Sequence, residues 1–399
     1  MHKGFFTLSK VSKQDPSDIR ISKCGVCGLY KTCKSPKLKP TGNGEQKILI
    51  VSDNPNDESD SEGLHLNDDY LWQLQTSLNQ IGINLEDDCW LTSAVICHRP
   101  HRDPTTNQTQ TCRANLFNTI KELSPKVVIL LGSHAVQSMV GYLWKESIDV
   151  LSRWVGQQIP CPELNTWLIP TWHPSFVCNK SQSIIDLLFI KNLQQAINLI
   201  DIPVPPLIDY KTKIIVELSA DKAADIIKKF LGSSSVAFDY ETNCLKPEFP
   251  GAKIICCAIS DGDTTIAYPW HGAATKATRQ VLHSNVPKIA ANMKFEERWS
   301  RIHAGGKVKN WKHCTMIGAH VLDNRQGITS LKFQSYINFG VGCYDEHIKP
   351  YMSTDKNGLN KLDQLDRKDL LLYCGMDALL TWKLEQIQAE KFNETIFSK

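Results

Sequence analysis

Hydrophobic and polar positions divide the chain into two patterned stretches with a proline-rich break between them. In the first stretch, short all-apolar runs alternate with segments of helical period. KILIVSD (47–53), CWLTSAVIC (89–97), KVVILLG (126–132) and TWLIPTWHP (166–174) read as strands, and helical patterns fall near 69–81, 110–123, 133–144 and 183–200. Strands that are apolar on both faces and joined through helices predict a parallel sheet covered on either side, a three-layer α/β arrangement over 23–200. Residues 1–22 lack this pattern and read as a leader, and KCGVCGLYKTCKSPKLKPTGNGEQ is a loop rich in Gly, Pro and Lys.

The break, IDIPVPPLIDYKTK, has three prolines in four positions and predicts a linker over 201–212, because Pro opposes both helix and sheet. The second stretch, 213–399, opens with the strand KIIVEL and the Ser-capped amphipathic helix SADKAADIIKKFLG. The strand VAFDYETN (236–243) follows, and KIICCAISDGDTTIAYPW reads as a hairpin across a Ser-Asp-Gly-Asp turn. IAANMKFEERW (289–299) is a strand running into a helix, and DLLLYCGMDALLTWKL (369–384) is helical. This order predicts a mixed sheet.

Composition changes the picture little. The 399 residues are 42% hydrophobic and 22% charged, as in an ordinary globular protein, and a net charge of +3 does not by itself signal nucleic acid. Its distribution says more: residues 1–47 carry ten Lys/Arg against three acids, and residues 48–98 contain no Lys or Arg. The Lys31, Lys34, Lys37 and Lys39 run reads either as a solvated loop or as a phosphate contact. Apolar runs fall short of a membrane span and MHKGFFTLSKVSKQDP lacks a signal-peptide core, so a cytoplasmic location without membrane partners is expected.

Fourteen cysteines in that compartment do not read as a disulfide framework. Cys256 and Cys257 read as small buried hydrophobes, whereas Cys24 and Cys27 form a C-x2-C in a flexible loop, where two thiolates reach one metal. Cys97 and Cys112 would complete a four-thiolate set, with Cys33 and Cys89 as further candidates. Zinc and a [4Fe–4S] cluster both accept four thiolates, and the spacing does not choose between them.

Carboxylates organise the second stretch. Asp239 and Glu241 are two apart on a strand and share a face, where they repel unless a divalent cation such as Mg²⁺ or Mn²⁺ neutralises them. Asp377 sits in the apolar stripe of Leu370, Leu371, Ala378, Leu379 and Leu380, costly unless paired or metal-bound, with Tyr373 one turn before it. Glu296 and Glu297 fall in the first turns of a helix that follows a strand.

The motifs VAFDYETN, NMKFE and Y-x3-D, with CTMIGAHVLDNRQGITSLKF before the last, resemble in order and spacing the proofreading 3′–5′ exonuclease domain of family A DNA polymerases, of the class with a motif-three Tyr. The resemblance covers roughly 211–393 and implies a ribonuclease-H-like fold. By carry-over, Asp239, Glu241 and Asp377 are metal ligands, Glu296 takes the second-motif Asp position with Glu297 as its competitor, and Tyr373 orients the attacking water. Thr242 and Leu245 would contact the terminal nucleotide, Asn292 the strand, and Tyr344 would wedge against a base. Two divalent ions about 4 Å apart would then cleave the 3′-terminal phosphodiester of single-stranded or frayed DNA.

The first stretch resembles the iron–sulfur uracil-DNA glycosylases of family 4 over roughly 22–200, on the C-x2-C, VICHRPHRDP…TCRANL and LIPTWHPSFV. That resemblance places a [4Fe–4S] cluster on Cys24, Cys27, Cys97 and Cys112 and a catalytic-loop His at His173, with Asp53 standing where an acid helps activate water. It departs where the uracil stacker and edge reader belong, with Leu66 and Ser93 there, and in an acidic loop (Asp53, Asp57, Glu58, Asp60, Glu62) where phosphates approach. Asp53 and His173 are therefore expected to be vestigial, the alternatives being a glycosylase of altered base specificity or a non-catalytic replication scaffold. The pairing of domains resembles some bacteriophage polymerases, so a separate polymerase subunit, or a longer polymerase of which this is a fragment, is the expected context, in a bacterial host cell if phage-encoded.

Overall fold

The computed structural model describes residues 23–66, 69–100, 103–144, 148–180, 183–352 and 358–397; the expected leader over 1–22 lies outside the described residues. The chain forms two compact units, residues 1–204 and 205–399. The proline-rich residues 203–209 carry no regular element, as the missing N–H groups and fixed φ of Pro203, Pro205 and Pro206 require.

The first unit holds a five-stranded sheet in the order β2-β1-β3-β5-β4, with β1 Ile48–Ser52, β2 Cys89–Ser93, β3 Val127–Leu131, β4 Ile159–Cys161 and β5 Thr166–Thr171. β1, β2, β3 and β5 are parallel, and β4 runs antiparallel to β5 at the edge. Every residue of β1 and β3 is buried, which is why these strands read as unbroken apolar runs. Ile48, Ile50 and Ile129 pack with Leu74, Leu78, Phe189 and Leu193 from the covering helices. The sequence pattern did not show β4: three residues with Pro160 in the middle are tolerated only on an edge, where an N–H is dispensable. The helix expected from 110 starts at Thr106, because Thr105 and Gln108 form a reciprocal capping box.

The second unit holds a six-stranded mixed sheet, β11-β10-β7-β8-β9-β6, with β6 Ile214–Val216, β7 Val236–Thr242, β8 Ile254–Ser260, β9 Thr265–Pro269, β10 Lys288–Ala290 and β11 Trp311–Cys314. β7, β8 and β9 form an antiparallel meander, while β10 runs parallel to β7 and β11 parallel to β10. Phe238 and Tyr240 point into one core with Ile259, Tyr268 and Trp299. The alternate residues of β7 face the other side, where the helix Arg367–Phe397 crosses the sheet and packs Leu370, Leu371, Cys374 and Ala378 against Cys256, Ala258 and Ala267. No helix among the described residues is long and apolar enough to cross a membrane.

Candidate active site and cysteine cluster

Asp239 and Glu241 occupy alternate positions of β7, opposite Ala258 and Cys256 of β8, under the helix that carries Tyr373 and Asp377. Glu241 and Asp377 are buried and Asp239 half-buried. One carboxylate oxygen each of Asp239 and Glu241 and the Cys374 sulfur lie within 4.8 Å of one another. Loss of solvent, and then Asp377 nearby, raise the Asp239 carboxyl well above its ordinary range. Burial and then Asp239 do the same to Glu241. These groups resist carrying their charges together without a cation.

The helix Met293–His303 delivers Glu296 from the opposite direction. Tyr240 and Ser300 hydroxyls lie 3.1 Å apart and tie this helix to β7. Glu296, one turn before Ser300 on the same face, is buried with its Oε2 lacking a hydrogen-bond partner. Burial and then Asp239 hold its carboxyl far above normal, so it belongs electrostatically to the cluster. Its neighbour Glu297 is committed elsewhere: it accepts from Arg301 Nε at 2.6 Å and from Val308 N and Trp311 Nε1, both at 3.1 Å. Of the two glutamates, the structure turns Glu296 towards the carboxylates and spends Glu297 on the fold.

Two tyrosines close the site. Tyr373 is buried and faces Tyr344 with ring centroids 6.0 Å apart. The Tyr344 hydroxyl donates to Asp377 Oδ1, so this side chain ends at the carboxylates, where the sequence had placed a base-wedging ring. Burial, then Asp377, raise both phenols well above their normal range and keep them neutral donors. Thr242 is buried, its hydroxyl donating to Cys244 O at 2.8 Å, while Leu245 is 59% exposed. Asn292 caps the start of the Glu296 helix through its backbone alone.

Sequence reasoning missed two members of this site. Lys332, from the helix Leu331–Phe339, donates to Asp377 Oδ1 and, at 2.9 Å, to the Tyr344 hydroxyl. As the single charge in LKFQSYINF it is a detectable signal, since a lone charge on an otherwise apolar and polar-neutral helix asks for a partner. Cys374 lies fully buried beneath Asp239, its thiol 3.8 Å from Asp239 Oδ2.

In the first unit, Cys24, Cys27, Cys97 and Cys112 line one small cavity of about 10 Å³. The C-x2-C forms a single helical turn closed by Gly28 at φ 73°. Cys97 Sγ accepts from Lys37 N at 3.3 Å and Cys112 Sγ from Asn115 Nδ2 at 3.4 Å, N–H donors that favour thiolates. Without a cation, burial pushes the Cys97 thiol up to about 12 and raises Cys112. Cys33 sits against Cys97 rather than in the cavity wall, and Cys89 lies in the sheet core at the start of β2.

The remaining first-unit candidates are held by structural bonds. Asp53 Oδ1 accepts from His134 N at 2.9 Å and Ala135 N at 3.0 Å, capping the helix Ser133–Leu143. Burial raises the Asp53 carboxyl above its ordinary range, against nearby His173 and His134, which lower it. His173 Nδ1 is 2.8 Å from the Ser175 hydroxyl. Leu66 is in the core. Ser93 Oγ lies 2.9 Å from Ser52 Oγ and 3.0 Å from His65 Nδ1, and His65 Nε2 is 2.8 Å from Lys39 O. One acid of the acidic loop is withdrawn from the surface: buried Asp60 accepts from Lys34 N and Ser35 N at 2.9 Å, while Asp57, 3.0 Å from His98 Nε2, stays exposed.

Comparison with known proteins falls along the same division. A model described as the uracil DNA glycosylase superfamily matches residues 39–197, and one described as 3′–5′ exonuclease matches residues 215–391. The type-4 uracil-DNA glycosylase of Thermotoga maritima is 24% identical over 181 residues, 44% of this chain and 89% of that protein. Its counterpart from Saccharolobus solfataricus is 26% identical over 164 residues, 39% of this chain and 72% of that one. Among solved structures, Brucella melitensis NrnC with bound Mg²⁺ aligns over 46% of this chain and 81% of its own, at 18% identity and a TM-score of 0.33. Escherichia coli RNase D, an exoribonuclease involved in structured RNA processing, aligns over 46% of this chain and 45% of its own, at 15% identity and a TM-score of 0.34.

Proposed function

We propose, for a chain that carries a uracil-DNA-glycosylase-superfamily domain ahead of a 3′–5′ exonuclease domain, that it removes nucleotides from DNA 3′ ends in a metal-dependent reaction and serves as the proofreading activity of a phage-type DNA polymerase. One observation carries this reading: three separate elements deliver Asp239, Glu241, Glu296 and Asp377 to a shared, poorly solvated site, where Glu296 Oε2 has no protein partner. A purely structural cluster would satisfy each of its carboxylates, as Arg301 does for Glu297, whereas here, of the four carboxylates, Lys332 and Tyr344 bond only Asp377 and Glu296 Oε2 is left unpaired.

The donor set fits a hard divalent cation: carboxylate oxygens dominate, and one of them is orphaned. Asp239, Glu241 and Asp377 would hold Mg²⁺ or Mn²⁺, with Glu296 reaching in directly or through a water. When bound, two such ions supply an activated water and neutralise the leaving 3′ oxygen. The chain's own residues do the rest. Tyr373, held neutral by burial, donates a hydrogen bond that orients the attacking water towards phosphorus. Tyr344 fixes Asp377 in place through its hydroxyl. Exposed Leu245, just past the strand end, offers an apolar surface to the terminal base.

The first domain binds without excising uracil in this reading. The hydroxyl of Ser93, at the edge-reader position, is already engaged by Ser52 and His65, and Leu66, at the stacker position, is buried in the core. Its four cysteines hold a [4Fe–4S] cluster in this reading, supported by four thiols lining one cavity and by the likeness to the type-4 uracil-DNA glycosylases. Asp239→Ala should abolish nucleotide release from a 3′ end while leaving the circular dichroism spectrum unchanged; retained release sinks the exonuclease assignment. A uracil-containing oligonucleotide should stay alkali-stable after incubation, and strand breakage at the uracil would restore excision to the first domain.

A further inference from the structure

Lys332 is placed where an ion would be wanted. Its ammonium donates to Asp377 Oδ1 and the Tyr344 hydroxyl and lies 4.1 and 4.4 Å from the ring centroids of Tyr344 and Tyr373. Its side chain is only 19% exposed, and that of Asp377 11%. The same charge acts on Asp239 and Glu241, lowering both against their burial. An ammonium hydrogen-bonded to a carboxylate oxygen denies that oxygen to a metal ion and repels the ion besides. Yet the lysine is not fixed there by necessity: four rotatable methylenes carry the ammonium, and the two rings hold it by cation–π attraction that a phosphate can outbid.

We propose that Lys332 is a resident counter-cation that competes with a divalent ion for Asp377 and is drawn off when a substrate phosphate enters, so that full metal loading is coupled to DNA binding. This rests on the exonuclease reading above. A lysine head is a compact, mobile phosphate ligand, and an incoming phosphodiester brings the charge that compensates it. Displaced from Asp377, the same ammonium neutralises a non-bridging phosphate oxygen. The enzyme without substrate is then protected from the mutual repulsion of four carboxylates without holding a complete, reactive metal site.

The test measures Mn²⁺ binding by titration calorimetry on the full chain, with and without a single-stranded oligonucleotide whose 3′-terminal linkage is a phosphorothioate. Wild type should bind Mn²⁺ at least tenfold more tightly with the oligonucleotide than without it. Lys332→Met, which keeps the stem and removes the charge, should bind Mn²⁺ at least tenfold more tightly than wild type in the absence of DNA and lose most of the oligonucleotide's effect. Lys332→Gln serves as the second variant should the methionine variant fail to fold. Equal or weaker Mn²⁺ binding by the folded variant overturns the proposal, because a lysine that merely supports the fold would give that result. Asp239→Asn separates the two levels: if wild type binds no more Mn²⁺ than this variant, the metal-site reading itself fails, whereas wild-type binding unaffected by Lys332 overturns only the counter-cation role.

Discussion

Adjacent glutamates with opposite duties give the sharpest test of the site. Glu297→Ala removes an acceptor from Val308 N and from Trp311 Nε1, each at 3.1 Å, and from the half-exposed Arg301. A hydrogen bond to a charged acceptor contributes about 1.5 kcal/mol at the low end, so the first two amount to about 3 kcal/mol. The Arg301 pair adds less than about 1 kcal/mol, since solvent screens it. For a domain of this size each kcal/mol moves Tm by about 2–4 °C, so the variant should melt about 6–12 °C lower. Below that melting point its exonuclease rate should stay within a few-fold of wild type. Glu296→Gln should behave the other way. Its carboxyl is already held towards the neutral form by burial and Asp239, so a neutral amide leaves the metal-free Tm level or higher. Loss of its charge should lower metal affinity or turnover about 10–100-fold. Calorimetric melts in chelator, paired with nucleotide release at saturating Mg²⁺, measure both. A large rate loss in Glu297→Ala with Glu296→Gln active and destabilised would reverse the assignment.

The same carboxylates set a pH dependence. Asp239, Glu241 and Glu296 are all raised in the folded state, so the fold binds more protons than the unfolded chain from the ordinary carboxylate range, near about 4, upwards. Stability conferred by those protons is present at low pH and lost as pH rises through the raised values; Tm in chelator should fall over that window, and Mg²⁺ should reverse the fall. Gly132→Ala should destabilise the first unit by about 2 kcal/mol, because φ is +91° and an added Cβ would stand 2.6 Å from Asp53 Oδ2; a melting curve with an unmoved first-unit transition would show that Asp53 is not packed there. Cys97→Ser should lose bound iron and sulfide and the visible absorbance of the cluster, while a zinc-loaded, colourless wild type after anaerobic purification would replace the cluster with zinc.

Most of the architecture was legible because it depends on repetitive patterns. A short, β-branched all-apolar run such as VVILL followed by Gly132 fits a strand buried on both faces, and the alternation through Phe238, Asp239, Tyr240 and Glu241 assigns two residues to the core and two to the site. β4 was illegible because three residues centred on a proline carry no period. Polar side chains were harder, since sequence gives their charge but not their partners. Glu296 and Glu297 look interchangeable until the helix is anchored by Ser300, after which a rotation of one residue divides chemistry from structure. Asp53 and Asp60, read as acids of a loop that phosphates approach, are backbone acceptors, and the inward-pointing Lys332 went unread because its partners come from distant segments.

The central claim is that the second domain cuts DNA from the 3′ end with carboxylate-held metal. The most direct measurement is a time course on 5′-end-labelled single-stranded DNA, with Mg²⁺ and with excess chelator. The account predicts a ladder that shortens one nucleotide at a time in Mg²⁺, stops in chelator, and is absent for Asp377→Asn. A substrate that stays intact in Mg²⁺, is cut internally, or is shortened equally in chelator would contradict it.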